Sequence, residues 1–134
     1  MMRLPSRINL RERLQEIAHQ AEGLSHDDIR QRFLEALCDF VEGATGWRPE
    51  PRLEERLISG RPDARLGGMA IEIKRPEEGL DGAIRQVRRY LEDYREEGVE
   101  ARGVAYNGVE MALLDERGNE VWRGRAVEGC LLYT

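Results

Sequence analysis

Between Trp47 and Pro76 the chain abandons helical spacing, and this change constrains its fold more than any other feature. Short apolar runs are cut by Gly60, Pro62, Gly67, Gly68 and Pro76, the texture of strands joined by tight turns. A first strand is expected within "RLEERLIS", a turn at Gly60, a second strand around "PDARLG" and a third at "MAIEIK". Gly67-Gly68 reads as the two-residue connection of a hairpin between the last two.

Helical spacing flanks this block. Ile8, Leu10, Leu14, Ile17, Ala18 and Ala21 predict a helix over 8–22 that stops at Gly23. Ser25 with Asp28 resembles a capping box opening a second helix, on which Ile29, Phe33, Leu37, Phe40 and Val41 form one stripe and which Gly43 and Gly46 close. Asp81 is expected to cap a third, "GAIRQVRRYLEDYREEG", ending at Gly98. "RGVAYNG", "VEMALLDE" and, past the Arg117-Gly118-Asn119 turn, "NEVWRG" are further candidate strands. Helix, helix, three strands, helix and two or three strands describe an α+β fold in the broad α/β class, a mixed central sheet flanked by helices with an α-βββ-α-β core. The strand after the third helix can return parallel to the sheet.

A chain of 134 residues suits one domain. It is expected to divide into an N-terminal helix (1–24), a core (25–115) and a C-terminal hairpin strand and tail (116–134). No apolar run approaches the ~20 residues of a membrane span, and the N-terminus lacks the apolar stretch of a secretory signal, so the expected location is cytoplasmic, with no membrane partner. Cys38 and Cys130 belong to no CxxC pair and read as small buried hydrophobes. A net charge of −5 argues against non-specific coating of DNA. The acidity is unevenly placed, however: residues 61–95 carry +1 and the remainder −6.

Within that less acidic window lies the candidate chemistry. Side chains of a strand alternate, so Glu72 and Lys74 share a face about 7 Å apart while Ile71 and Ile73 point to the core. A hairpin at Gly67-Gly68 would bring Asp63 towards Glu72. Two converging carboxylates repel each other, and a hard divalent cation relieves that repulsion. A neighbouring lysine can orient an attacking water or stabilise charge growing on a phosphoryl group. Twenty of the 21 basic residues are arginine, and Lys74, the lone exception, stands where a compact charge suits the task better than a planar one.

"RPDARLGGMAIEIKRP" resembles the signature of the PD-(D/E)XK nuclease superfamily. Gln86 and Tyr90 in the following helix resemble the QxxxY motif of its RecB-like branch and of nuclease domains in type I restriction motor subunits. The resemblance implies a restriction-endonuclease-like core and a DNA endonuclease of restriction and defence, mobile-element biology or repair. In it Asp63 and Glu72 bind Mg²⁺ or Mn²⁺, Lys74 serves the hydrolytic water, and Gln86 and Tyr90 place the DNA strand or support the site. The family's helix glutamate falls at His26, which also reads as an exposed residue of the helix start; Asp27 and Glu35 are further candidates. The implied partner is DNA. A homodimer would cut both strands of a duplex, and because GxxxxGK[ST] is absent, any motor would come from another chain. The alternative is a catalytically inactive DNA-binding or assembly module that keeps the fold.

Overall fold

The computed structural model describes residues 6–129, with side chains from Leu10. Cys130 therefore lies outside the described residues. Helix α1 (Ser6–Gln20) runs into a 3-10 turn at Ala21–Gly23, and α2 (His26–Thr45) follows. Ser25 separates them: its backbone is extended and its Oγ accepts the Asp28 N–H at 3.1 Å, supplying one of the first-turn donors with a partner. Gly46, at φ +78°, ends α2. Gly43 lies inside the helix rather than closing it. The buried arc of α2 is wider than the single stripe expected, taking in Leu34, Ala36 and Cys38 beside Ile29 and Phe33. The reason is that α2 packs on α1 as well as on the sheet.

Six strands form one sheet in the order of the chain: β1 (Arg52–Leu53), β2 (Ala64–Leu66), β3 (Met69–Ile73), β4 (Arg102–Tyr106), β5 (Glu110–Leu114) and β6 (Glu120–Arg125). Neighbours are antiparallel except β3 and β4, which are parallel. Between those two the chain crosses over through α3 (Asp81–Glu96), as a parallel pair requires. Gly67-Gly68 makes the β2–β3 connection, with Gly67 at φ +57°. The first strand is much shorter than "RLEERLIS": Glu54 takes φ +51° and ends it, and Leu57 and Gly60 then bond to each other as a separate small turn. Asp81 does not cap α3. Buried Leu80 takes the cap position, fed by a 3-10 turn at Pro76–Glu78, and the Asp81 carboxylate accepts from Arg123 instead, at 3.0 Å. A short helix, α4 (Ala126–Gly129), follows β6. No helix among the described residues is long and apolar enough to cross a membrane.

The two faces of the sheet carry side chains of different size. Ile71, Ile73, Val104, Tyr106, Met111 and Leu113 pack beneath α1 and α2, where Phe33 stacks on Tyr106 with ring centroids 3.9 Å apart. The opposite face is built from Ala70, Gly103, Ala105 and Ala112, and this shallow surface lets α3 settle with Val87, Tyr90, Leu91 and Tyr94 against it. Glu72 belongs to that small-residue face, beside Ala105 of β4.

Gly103 marks the closest approach of α3 to the sheet. A Cβ there would overlap the Val87 Cγ1 and stand 3.2 Å from Leu91 Cδ1. Gly103→Ala is therefore expected to destabilise the protein by about 1–3 kcal/mol, the usual cost of overpacking, read as a lower urea midpoint with unchanged helical circular dichroism.

Candidate active site

The β2–β3 hairpin pairs Ala64 with Ile71, which sets Asp63, just before β2, opposite Glu72. The two carboxylates are then locked crosswise. The Asp63 N–H donates to Glu72 Oε1 at 3.2 Å, and the Ile73 N–H donates to Asp63 Oδ2 at 2.7 Å. Each acid is held by the backbone beside the other, so neither can swing away without exposing a donor. Glu72 is buried and Asp63 nearly so. Burial first, and then the adjacent Asp63 carboxylate, push the Glu72 carboxyl up to about 8, while the Lys74 ammonium pulls the other way. Lys74 follows at the end of β3, its N–H bonded to Tyr106 O at 2.9 Å, so the β3–β4 pairing carries through to it.

Behind the acids, α3 fastens the segment that leads to Asp63. Gln86 Nε2 donates to Ser59 O at 3.3 Å, and the Tyr90 hydroxyl donates to Arg61 O at 3.0 Å. Buried Asp93 accepts the Ser59 N–H at 2.8 Å and the Ser59 hydroxyl at 3.1 Å. Gly60 passes over this face at φ +136°, where a Cβ would stand 3.5 Å from Gln86 Nε2 and 3.6 Å from the Tyr90 hydroxyl. Burial, followed by the Glu72 charge, holds the Tyr90 phenol up near 12, so it stays a proton donor at neutral pH. Asp93 is a component that sequence reasoning missed. The signal was available, because residues 86, 90 and 93 are spaced four and three apart on one helix face.

His26 departs from the simple picture of an exposed residue at a helix start. Its Nε2 lies 3.1 Å from Asp63 Oδ2, and its Nδ1 lies 3.2 Å from Asp27 Oδ1. The cap at Ser25 aims the first turn of α2 at the carboxylate pair. Asp27 reaches the acids only through that ring and is otherwise largely exposed, 3.7 Å from Arg30. Glu35 is not brought to the site. It sits about two and a half turns along α2, exposed and 3.8 Å from Arg13 of α1.

Two convergent, half-dry carboxylates are a hard-oxygen donor set, and the proton that Glu72 retains is what a divalent cation between them would replace. Among the described residues no three His, Cys, Asp or Glu side chains form a ready metal cage. The protein's own donors are thus few, which suits Mg²⁺ or Mn²⁺, ions that use one or two carboxylates and complete their shells with water and substrate oxygens. Two clefts of about 380 and 460 Å³ lie elsewhere, against α2 near Cys38 and against β6 near Trp122. Neither is lined by the acids.

No family model matches the chain, and no curated protein matches it. Among solved structures it is similar to a chain in a cryo-EM structure of a DrdV–DNA complex, with a TM-score of 0.64 and 20% identity. The match covers 96% of this chain but only 13% of that one. At this identity the likeness is one of fold, and the six-stranded mixed sheet flanked by helices is consistent with a restriction-endonuclease-like core.

Since its pKa is raised from 4.5 to about 8 on folding, Glu72 binds more proton in the folded than in the unfolded chain across that window. Its contribution is most favourable below pH 4.5 and is lost as pH rises towards 8. In metal-free buffer, Glu72→Gln is expected to match the parent protein near pH 4 and to exceed its stability at pH 8 by on the order of 1–3 kcal/mol, measured by thermal melts across that range.

Proposed function

We propose that this chain is a divalent-metal-dependent deoxyribonuclease of the PD-(D/E)XK type, hydrolysing phosphodiester bonds at Asp63, Glu72 and Lys74. The observation that carries the reading is the crosswise lock of Asp63 and Glu72, which holds two mutually repelling carboxylates together beside a lysine. Held together in this way, the pair carries both charges only when a cation compensates them, and Glu72 otherwise keeps a proton that a metal ion could displace. The likeness in fold to a chain of the DrdV–DNA complex supports DNA as the substrate.

In this reading Asp63 and Glu72 hold Mg²⁺ or Mn²⁺, and the His26 ring, 3.1 Å from Asp63 Oδ2, steadies the Asp63 carboxylate. The bound ion supplies Lewis acidity towards the phosphoryl oxygens and eases deprotonation of water. Lys74, on the same strand face as Glu72, orients the attacking water and donates to the charge that develops on the phosphoryl group. Gln86 and Tyr90 support the site by holding the Ser59 and Arg61 carbonyls, so the segment entering Asp63 is presented in one conformation. Gln86 and Tyr90, spaced as in QxxxY and following the strand that carries Glu72 and Lys74, support a place in the RecB-like branch. The unit is a single nuclease domain acting in restriction and defence, mobile-element biology or repair.

Incubation with Mn²⁺ or Mg²⁺ against linear duplex, single-stranded, circular and branched DNA is expected to give cleavage that chelator abolishes. Asp63→Ala is expected to remove it, and Lys74→Ala to reduce the rate by at least about 10²-fold, the usual size of a lost charge-stabilising donor. Cleavage that survives both substitutions would contradict the proposal. Absence of both cleavage and metal binding in the parent protein would favour the assembly module.

A further inference from the structure

Six arginines stand around the hairpin and along the first half of α3, and the structure occupies three of them. Arg65 Nε lies 3.4 Å from Glu55 Oε1, with its guanidinium over the Tyr94 ring. Arg75 is 2.8 Å from Glu77, and Arg88 Nε donates to Gly118 O at 2.9 Å. Arg61, Arg85 and Arg89 remain. All three are exposed, and among the described residues none is ion-paired with a carboxylate. This contrasts with Arg13, Arg48, Arg52, Arg102 and Arg123, each of which has an acidic partner.

The three uncompensated charges also cluster about the helix and segment that lead to the carboxylate pair. Arg89 Nη1 is 3.5 Å from Gln86 Oε1, and Arg85 stands one turn earlier on the same side of α3. Arg61 follows Gly60, and its carbonyl is the one that Tyr90 holds. Gln86 and Tyr90 therefore tie this part of α3 to the segment that enters Asp63. Further along, exposed Glu92, Glu96 and Glu97 outnumber Arg95, whose guanidinium bonds Glu116 O at 2.9 Å. Exposed Arg11, Arg56, Arg117 and Arg125 also lack a carboxylate within 4 Å among the described residues, and what sets Arg61, Arg85 and Arg89 apart is their place beside Gln86 and on the segment that Tyr90 holds.

We infer that Arg61, Arg85 and Arg89 form a track for the phosphodiester backbone of DNA, which leaves the carboxylate site across the first half of α3 and turns away before Glu92. Residues four apart on a helix have Cβ atoms about 5–6 Å apart, so Arg85 and Arg89 can hold neighbouring phosphates of one strand, with Arg61 nearest the acids. Arginine suits this role because its fork bonds phosphate oxygens in pairs. DNA as the ligand rests on the nuclease reading, but the track can be tested without cleavage.

The test is fluorescence anisotropy of a short labelled DNA, single-stranded and duplex, titrated with protein in EDTA over a series of salt concentrations. Replacing Arg61, Arg85 and Arg89 by Ser is expected to weaken binding about tenfold or more at low salt. The slope of log K against log salt should fall by about 2 for single strands or about 2.7 for duplex, the loss of three phosphate contacts. Arg11→Ser on α1 and Arg125→Ser on β6, both exposed, are expected to leave the slope unchanged. Thermal melts check that the triple variant folds; if it does not, Arg85→Ser and Arg89→Ser are measured singly, each expected to remove one contact. A parent-like slope in the variants, no DNA binding by the parent protein, or tighter binding of RNA through the same residues would overturn the track. Intact arginine-dependent binding without cleavage under any metal would overturn the nuclease reading and leave the track standing.

Discussion

Two carboxylates that repel each other are held together by the backbone, and the rest of the structure is arranged to permit it. Asp63 accepts from Ile73 and Glu72 accepts from Asp63, so the repulsion cannot relax without breaking a hydrogen bond at a nearly dry site. Such a bond costs about 1–3 kcal/mol when a buried partner is left unsatisfied, which resists separation of the acids, so the repulsion is relieved instead by a proton on Glu72. The same arrangement leaves the pair poised: below about pH 8 a proton sits on Glu72, and a hard cation could take the proton's place.

The sheet's asymmetry makes room for this. Ala70, Gly103, Ala105 and Ala112 keep one face shallow, so α3 approaches close enough for Gln86, Tyr90 and Asp93 to reach across to residues 59–61. That segment and the β2–β3 hairpin enter the site from opposite ends of Asp63, and α3 restrains the first while β3 restrains the second. Bulky side chains on the other face bind α1 and α2, and through the Ser25 cap they direct His26 to Asp63. One layer of small residues and one helix cap thus converge on a single carboxylate.

Much of this was legible in the residues. Alternation placed Glu72 and Lys74 on one face and Ile71 and Ile73 in the core, and the Gly67-Gly68 turn foretold the hairpin, because both depend on neighbours in sequence. The parallel return of β4 followed from the length of the connection through α3. What escaped depends on contacts between distant segments. His26 was a candidate through the resemblance alone and read equally as an exposed helix-start residue, because nothing local signals an acid 37 positions later. Asp81 looked like a cap because its composition suits one, yet the buried Leu80 claimed that position and left Asp81 to Arg123. Glu35 was a candidate by charge alone, and its place on the far side of α2 removes it. The short β1 reflects a left-handed Glu54 that no residue preference announces.

The central claim is the proposal that the Asp63–Glu72 pair binds a divalent cation that displaces the proton from Glu72. The most direct measurement is calorimetric titration of the protein with Mn²⁺ near pH 7 in buffers of different ionisation enthalpy, which counts the protons released on binding. The account predicts binding with release of close to one proton, and with Glu72→Gln a weaker binding that releases none. Absence of Mn²⁺ binding, or binding whose proton release is the same in both proteins, would contradict it.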